Sequence, residues 1–366
     1  MILKSIKNKE IKGVRVLGGI DTLYYFINTS LGELYPNLWD KVKDGEWLYN
    51  NFDFIGHSGK INGFVGAWYR RYDTTIKGLP LYKIGFKDYS KQKQILNVQI
   101  QLEAAGIYSQ GFIELLSIVN KDLSPLLGFD IDSSHCQVSR ADLNAFVDGF
   151  DFGDISPECF KARTYKSTEI LGDGDYYIDD NEFIYKNIRK LETLYLGSKS
   201  SPLSLKIYDK RRELDKTPIS IPKSIKMAYF ANMGLLSDFL WNIEFTLKRE
   251  VLKQYNIFTI SDLLLYAKSV FKDLMDRYSF LGYDTKKYDL YRKNKNQSKL
   301  KSHPIWQLIK DSYDANFLLD YDIKRLYKKS KGMTKETFIQ YIEKIGKLRH
   351  ELDVDITNAE IIKLLI

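Results

Sequence analysis

The chain has 366 residues, 44% hydrophobic and 28% charged, and its 55 Lys+Arg against 47 Asp+Glu give a formal net charge of +8. That supplies a large core and two or three domains, and it excludes a disordered or fibrous polypeptide. Two cysteines exclude a disulfide framework, and no run resembles a secretion signal or a span of roughly 18 apolar residues, so a reduced, cytoplasmic setting is expected.

In chain order, "GIDTLYYFINT" (19–29) predicts a strand, and "PLYKIGFKDY" (80–89) with "ILNVQIQLEAAG" (95–106) predicts a strand pair. "SQGFIELLSIVNK" (109–121) predicts a helix, and "QVSRADLNAFVD" (137–148) another strand. "ETLYLG" (192–197) and "LSLKIYDK" (203–210) flank the turn-rich "SKSSP" and predict a hairpin. "LWNIEFTLKREVL" (240–252) predicts a strand running into a helix. Beyond about residue 256 the pattern turns helical. Residues 260–280 carry apolar positions at Leu264, Ala267, Val270, Phe271 and Leu274, with Ser261 or Thr259 as cap. Helical spacing returns over 334–352, and Thr357 with Glu360 stand in capping-box register. The fold class expected is α+β. Residues 1–255 are expected to form a domain on a largely antiparallel sheet with one polar face, and 256–366 a helical, basic region.

Charge supports that division. Residues 251–366 hold 22 Lys+Arg and 15 Asp+Glu, so nearly all of the excess lies in the last third, as a polyanionic partner requires. Within it, the basic stretch 286–303 interleaves Tyr288 and Tyr291 with Arg292, Lys293 and Lys295.

Side chains alternate between the faces of a strand. Asn97, Gln99, Gln101 and Glu103 therefore share a face. So do Arg140, Asp142 and Asn144, then Ser204, Lys206, Tyr208 and Lys210, and finally Glu244, Thr246 and Lys248. A solvated sheet face alternates in the same way. The choice of groups goes further: carboxylates suit Mg2+ or Mn2+, lysine and arginine hold phosphate, and tyrosine can act as a covalent nucleophile. Phenol ionises near pH 10, and the flanking Lys206 and Lys210 are expected to favour its anion.

The blocks "VSRADLNAFVD", "ETLYLGSKSSPLSLKIYDKRRE" and "LWNIEFTLKREVL", in this order, resemble the Rep_trans family of rolling-circle replication initiators and related conjugative-element relaxases. The resemblance covers roughly residues 95–255. It implies Tyr208 as the DNA-nicking nucleophile and Asp142 and Glu244 as ligands of Mg2+ or Mn2+. Gln101 or Glu103 is implied as a further metal-site residue, and Asp21 as an N-terminal acid. It also implies a sequence-specific nickase and strand transferase working through a 5′-phosphotyrosine, with origin DNA, a host helicase and a homodimer as partners. The alternatives are a relaxase of an integrative conjugative element with the same chemistry, and a non-catalytic DNA-binding regulator on the same scaffold. Candidate phosphate contacts are Arg140, Lys199, Lys206 and Lys210. The four histidines, at 57, 135, 303 and 350, form no His-hydrophobe-His pair, which disfavours the histidine-based nickases. "AWYRRYD" (67–73) reads either as a base-stacking surface or as a buried Trp68 flanked by arginines; Tyr195 and Tyr165 are the reserve nucleophiles.

Overall fold

The computed structural model describes residues 11–27, 34–45, 52–61, 64–88, 98–132, 136–162, 167–172, 175–179, 182–188, 190–198, 200–286, 300–314 and 325. Two compact units divide the chain, Met1–Arg325 and Leu326–Ile366. The second lies outside the described residues, as do the predicted helices at 334–352 and 357–365. The first contains the expected boundary near 255 and runs beyond it.

The elements follow in order: β1 (Arg15–Ile27), α1 (Leu34–Val42), β2 (Phe52–Ile61), β3 (Phe64–Tyr72), β4 (Pro80–Lys87), β5 (Val98–Leu102), α2 (Ala104–Gln110), α3 (Phe112–Leu127) and β6 (Cys136–Asp148). Then come β7 (Phe160–Lys161), β8 (Ser167–Leu171), β9 (Asp175–Asp179), β10 (Glu182–Ile188), β11 (Leu191–Leu196) and β12 (Leu203–Asp209). The last are α4 (Lys210–Lys216), α5 (Ile221–Asn232), β13 (Leu240–Lys248), α6 (Arg249–Gln254), α7 (Ile260–Arg277), β14 (Ser279–Phe280) and α8 (Pro304–Ser312).

Ten strands make one sheet in the order β2-β3-β4-β5-β1-β6-β13-β12-β11-β8, and every pairing is antiparallel. The class is α+β, as the sequence indicates. The predicted hairpin is β11–β12, with Tyr195 opposite Lys206 and Thr193 opposite Tyr208. The predicted strand pair at 80–106 is β4–β5, except that the second strand stops at Leu102 and α2 begins at Ala104. The predicted helix at 109–121 is split. Gly111, at φ 84° and ψ 153°, holds a conformation open to glycine, so it ends α2 and starts α3. Thr259 caps α7 through a reciprocal capping box with Asp262.

One face of the sheet carries the main core. Leu23, Leu143, Leu205, Ile207, Ile243 and Phe245 are buried there with Leu115, Val119 and Leu123 of α3 and Val270, Phe271 and Leu274 of α7. Phe245 meets Phe271 edge-on at 5.5 Å. Trp306 of α8 enters the same core and donates its indole N–H to the Met275 carbonyl at 2.9 Å. "AWYRRYD" belongs to β3: Trp68 is buried, Arg70 pairs with Glu103 and Arg71 with Asp122 of α3, so this stretch packs the fold.

The opposite, polar face is also covered. Phe146, Leu214, Phe230, Leu235 and Leu240 form a second, smaller core between the sheet and α4 and α5. Alternation along the strands leads one to expect solvent on this face. Amphipathic cover supplied by distant segments is invisible to that local pattern. The seat of α2 is tight. A Cβ on Gly106 would lie 2.5 Å from the Leu81 carbonyl oxygen and 2.8 Å from its Cα, both backbone atoms of β4. Gly106→Ala is therefore expected to lift α2 and cost about 2 kcal/mol in urea unfolding; an unchanged midpoint would show that α2 rests loosely. Among the described residues no helix is long and apolar enough to cross a membrane.

Candidate active site

Directly paired residues of an antiparallel sheet share a face. On β11, β12, β13 and β6 the pairings run Thr193–Tyr208–Asn242–Phe146, and the next row runs Tyr195–Lys206–Glu244–Asn144–Gly19. The third is Ser204–Thr246–Asp142–Thr22. Tyr208, Glu244 and Asp142 thus stand on one side of three adjacent strands. Asp21 is the extra residue of a register shift in β1 between Ile20 and Thr22. It accepts the Tyr108 hydroxyl proton in a hydrogen bond from α2. A bulge of this kind turns a side chain toward a site that a regular strand would not serve.

Tyr208 is held on several sides. Its hydroxyl accepts from Asn242 Nδ2 at 2.9 Å and from Lys210 Nζ at 3.3 Å. The same Asn242 amide lies 3.4 Å from Glu244 Oε2. Lys206 Nζ sits 3.6 Å from the centre of the Tyr208 ring, a cation–π contact with the ring face rather than a bond to its oxygen. One residue on, Asp209 accepts from the Arg212 N–H at 2.9 Å and caps α4, which fixes where strand becomes helix beside the tyrosine. The tyrosine is 6% exposed and borders a cleft of about 460 Å³, which Tyr195, Lys206, Arg212 and Lys216 also line.

The electrostatics reverse one expectation. Tyr208 titrates well above its ordinary range. Burial is the largest cause, reinforced by Glu244, Asp21 and Glu213 and opposed by the Asn242 hydrogen bond. The lysines beside the hydroxyl do not outweigh burial and the acids: Lys210 is shared with Glu213 at 2.6 Å, and Lys206 faces the ring. Burial raises Asp142 as well, against the hydrogen bonds of Arg140. Arg140 grips that carboxylate with two bonds, Nε at 2.9 Å and Nη2 at 2.6 Å. Glu244 is pushed up to about 8 by burial first, then by Asp142 and Asp21. Lys226 on α5 falls by burial and by Lys210, and it also feels Asp21 and Glu103, so α5 lies over the acids.

A pH dependence follows. The folded chain holds the Glu244 proton to about pH 8, whereas a free glutamate releases it near 4.5. Unfolding releases a proton between those limits, so this site's contribution to stability falls as pH rises. Urea unfolding near pH 5 and near pH 8 is expected to show a wild-type loss on the order of 2 kcal/mol that Glu244→Gln removes. Equal pH dependence in both proteins would place the proton elsewhere.

The other predicted residues fall in different surroundings. Glu103 pairs with Lys83 at 3.1 Å and Arg70 at 3.4 Å, and Gln101 lies opposite Tyr24 and Lys83, so both stand beyond β1 from Glu244. Arg140 is committed to Asp142, and its guanidinium lies 5.2 Å from the centre of the Tyr24 ring. Asp148 accepts from the Ser237 N–H and hydroxyl, a structural role. His303 caps α8 by accepting from the Ile305 N–H. Lys199, Arg292, Lys293, Lys295, His135 and Tyr165 lie outside the described residues. Sequence reasoning overlooked Asn242 and Tyr108, and it placed Asn144 on the polar face without giving it a role. Asn242 is the detectable one, since it lies two positions before Glu244 on the same strand face.

Oxygen donors of this kind suit a hard divalent cation. Among the described residues, however, no three His, Cys, Asp or Glu side chains are grouped to hold a metal, and Arg140 takes both Asp142 oxygens.

No protein-family model matches the chain, and no curated protein matches it either. Among solved structures, it is similar to the rolling circle replication initiator protein from Geobacillus stearothermophilus, with 13% identity and a TM-score of 0.43 over 82% of this chain and 97% of that one. A likeness at that level carries no argument about chemistry, which rests on the residues themselves.

Proposed function

We propose that the chain is a rolling-circle replication initiator that nicks and rejoins origin DNA through Tyr208. The observation carrying this reading is the convergence of the Tyr208 hydroxyl and the Glu244 carboxylate on one amide, Asn242, on the sheet face that also holds Asp142. Both polar neighbours of the hydroxyl, Asn242 and Lys210, are donors, so its proton remains free to leave.

The phenol oxygen attacks the scissile phosphorus and loses its proton. The bond from phosphorus to the 3′ oxygen breaks, and that oxygen takes up a proton to become a free 3′-hydroxyl. The 5′-phosphate stays bonded to Tyr208, and the reverse attack rejoins the strand. Glu244 is pushed up to about 8, so it accepts the phenol proton only in its ionised fraction, which grows as pH rises. Lys206, Arg212 and Lys216 line the cleft beside the tyrosine and suit the phosphate backbone, once Glu192 releases Arg212 and Lys216.

Mg2+ or Mn2+ belongs to the same reading, with Asp142 and Glu244 as the residues that would hold it once Arg140 releases Asp142. When bound, it supplies polarisation of the scissile phosphate. Burial raises both acids first, Asp21 adds to it at Asp142, and Asp142 and Asp21 add to it at Glu244, a crowding of carboxylates that a cation would relieve. Origin DNA, a helicase and a second copy of the chain are the partners this function needs. Relaxase action in conjugative transfer uses the same chemistry on another substrate. The test is a covalent protein–DNA adduct on a denaturing gel, formed with single-stranded DNA of the parent element and Mn2+, and lost in Tyr208→Phe.

A further inference from the structure

A cavity of about 650 Å³ lies on the polar face between β1, α2 and α5, beside the acids and distinct from the cleft at Tyr208. Its volume suits a small organic ring system. Aromatic groups form much of the wall: Tyr108 stacks on Tyr229 with centroids 4.8 Å apart, and Phe146 stands edge-on to Tyr108 at 6.1 Å. Ser109, Gln110, Asn232 and Asp314 also line the cavity, and Asn144 stands at its floor on the sheet. Asn144, 2% exposed, gives its Nδ2 to Asn242 Oδ1 at 3.2 Å, and Asn242 in turn donates to the Tyr208 hydroxyl. No partner for Asn144 Oδ1 occurs among the described residues. That oxygen faces Gly19, where an added Cβ would meet it at 3.7 Å and nothing else within 4 Å. A glycine inside a strand commonly marks a close approach by another group.

We infer that this cavity receives one unstacked nucleobase of the DNA strand held for cutting, with its ring against Tyr108 and Phe146 and one of its N–H groups on Asn144 Oδ1. The inference rests on the proposed strand-cutting function and deepens it. Aromatic walls with the Asn144 acceptor, and with the Asp314 carboxylate in the lining, fit a base better than a phosphate, whose charge Asp314 would repel. The hydrogen-bonded chain Asn144–Asn242–Tyr208 joins the base to the nucleophile. Asn144 is two strands from Tyr208, roughly 10 Å at the usual strand spacing. The base therefore belongs to a nucleotide close to the scissile phosphate, and filling the cavity sets the hydroxyl when the correct strand is in place.

The experiment compares binding of full-length protein to single-stranded oligonucleotides of about eight nucleotides, dT or dA, and to one of equal length with abasic sites throughout. Wild type is expected to prefer the base-bearing strands. Gly19→Leu fills the cavity from the sheet side, and Ala228→Trp closes it from the exposed side of α5, so one variant serves if the other folds poorly. Each is expected to cut that preference about tenfold while leaving abasic affinity unchanged. Tyr208→Phe is expected to retain it. An unchanged preference in the cavity variants, or none in wild type, overturns the inference. If wild type forms the covalent adduct without that preference, the base site fails and the nickase stands. If the preference holds and no adduct forms, the nickase fails and the base site stands.

Discussion

Tyr208→Phe is expected to abolish the covalent protein–DNA adduct, a loss of at least about 10³-fold, because the change removes the attacking oxygen itself. The change removes one atom from a buried ring. Asn242 and Lys210 each lose an acceptor, at 2.9 and 3.3 Å respectively, which costs about 1 kcal/mol and leaves the chain folded. Binding to single-stranded DNA is expected to survive. Loss of the adduct with retained binding and a melting transition close to wild type assigns the chemistry to this oxygen. An adduct that persists would move the nucleophile to Tyr195, which lies across from Lys206 on β11 and borders the same cleft. Absence of any adduct in wild type, with binding intact, would leave a DNA-binding regulator on this scaffold.

Arg140→Ala is expected to have the largest effect on stability. Asp142 is 2% exposed and its two oxygens receive Arg140 Nε and Nη2. Removing the guanidinium leaves a buried carboxylate without its counter-charge, which costs about 3 kcal/mol near neutral pH. The loss is expected to shrink as pH falls, because Asp142, already raised by burial, takes up a proton and the uncompensated charge disappears. Millimolar Mg2+ or Mn2+ is expected to raise the melting temperature of the variant more than that of wild type, since a cation no longer competes with the guanidinium for the same oxygens. Equal cation effects in both proteins would detach the metal from Asp142, whatever the fate of the nickase.

Much of the fold is legible in local pattern. The alternation in 137–148, 203–210 and 240–248 foretells β6, β12 and β13 and the face that each residue occupies. That period identifies Tyr208, Asp142 and Glu244 as sharing a side, because registers that pair them directly or diagonally keep every side chain on its face. The wider sheet is less legible. β2 and β3 pair across Asn62-Gly63, a dipeptide that by itself signals a hairpin, whereas β8 pairs with β11 across two intervening strands, and the aromatic and arginine stretch in β3 carries signals that fit packing and nucleic-acid binding alike. α4 and α5 follow a strand without a break in polarity that separates them from a loop.

The sequence by itself determined the alternation, the capped helix at 260–277 and the set of chemical groups on one face of the sheet, because each depends on residues within a turn or a strand of one another. Tertiary structure alone decided what those groups experience. It buried Tyr208 beneath a second layer, gave the Asp142 oxygens to Arg140, sent Glu103 to Arg70 and Lys83, and brought Asp21 in through a shift of register. Burial and charge pairing set proton affinities here, and both come from segments far apart along the chain, so no local period encodes them.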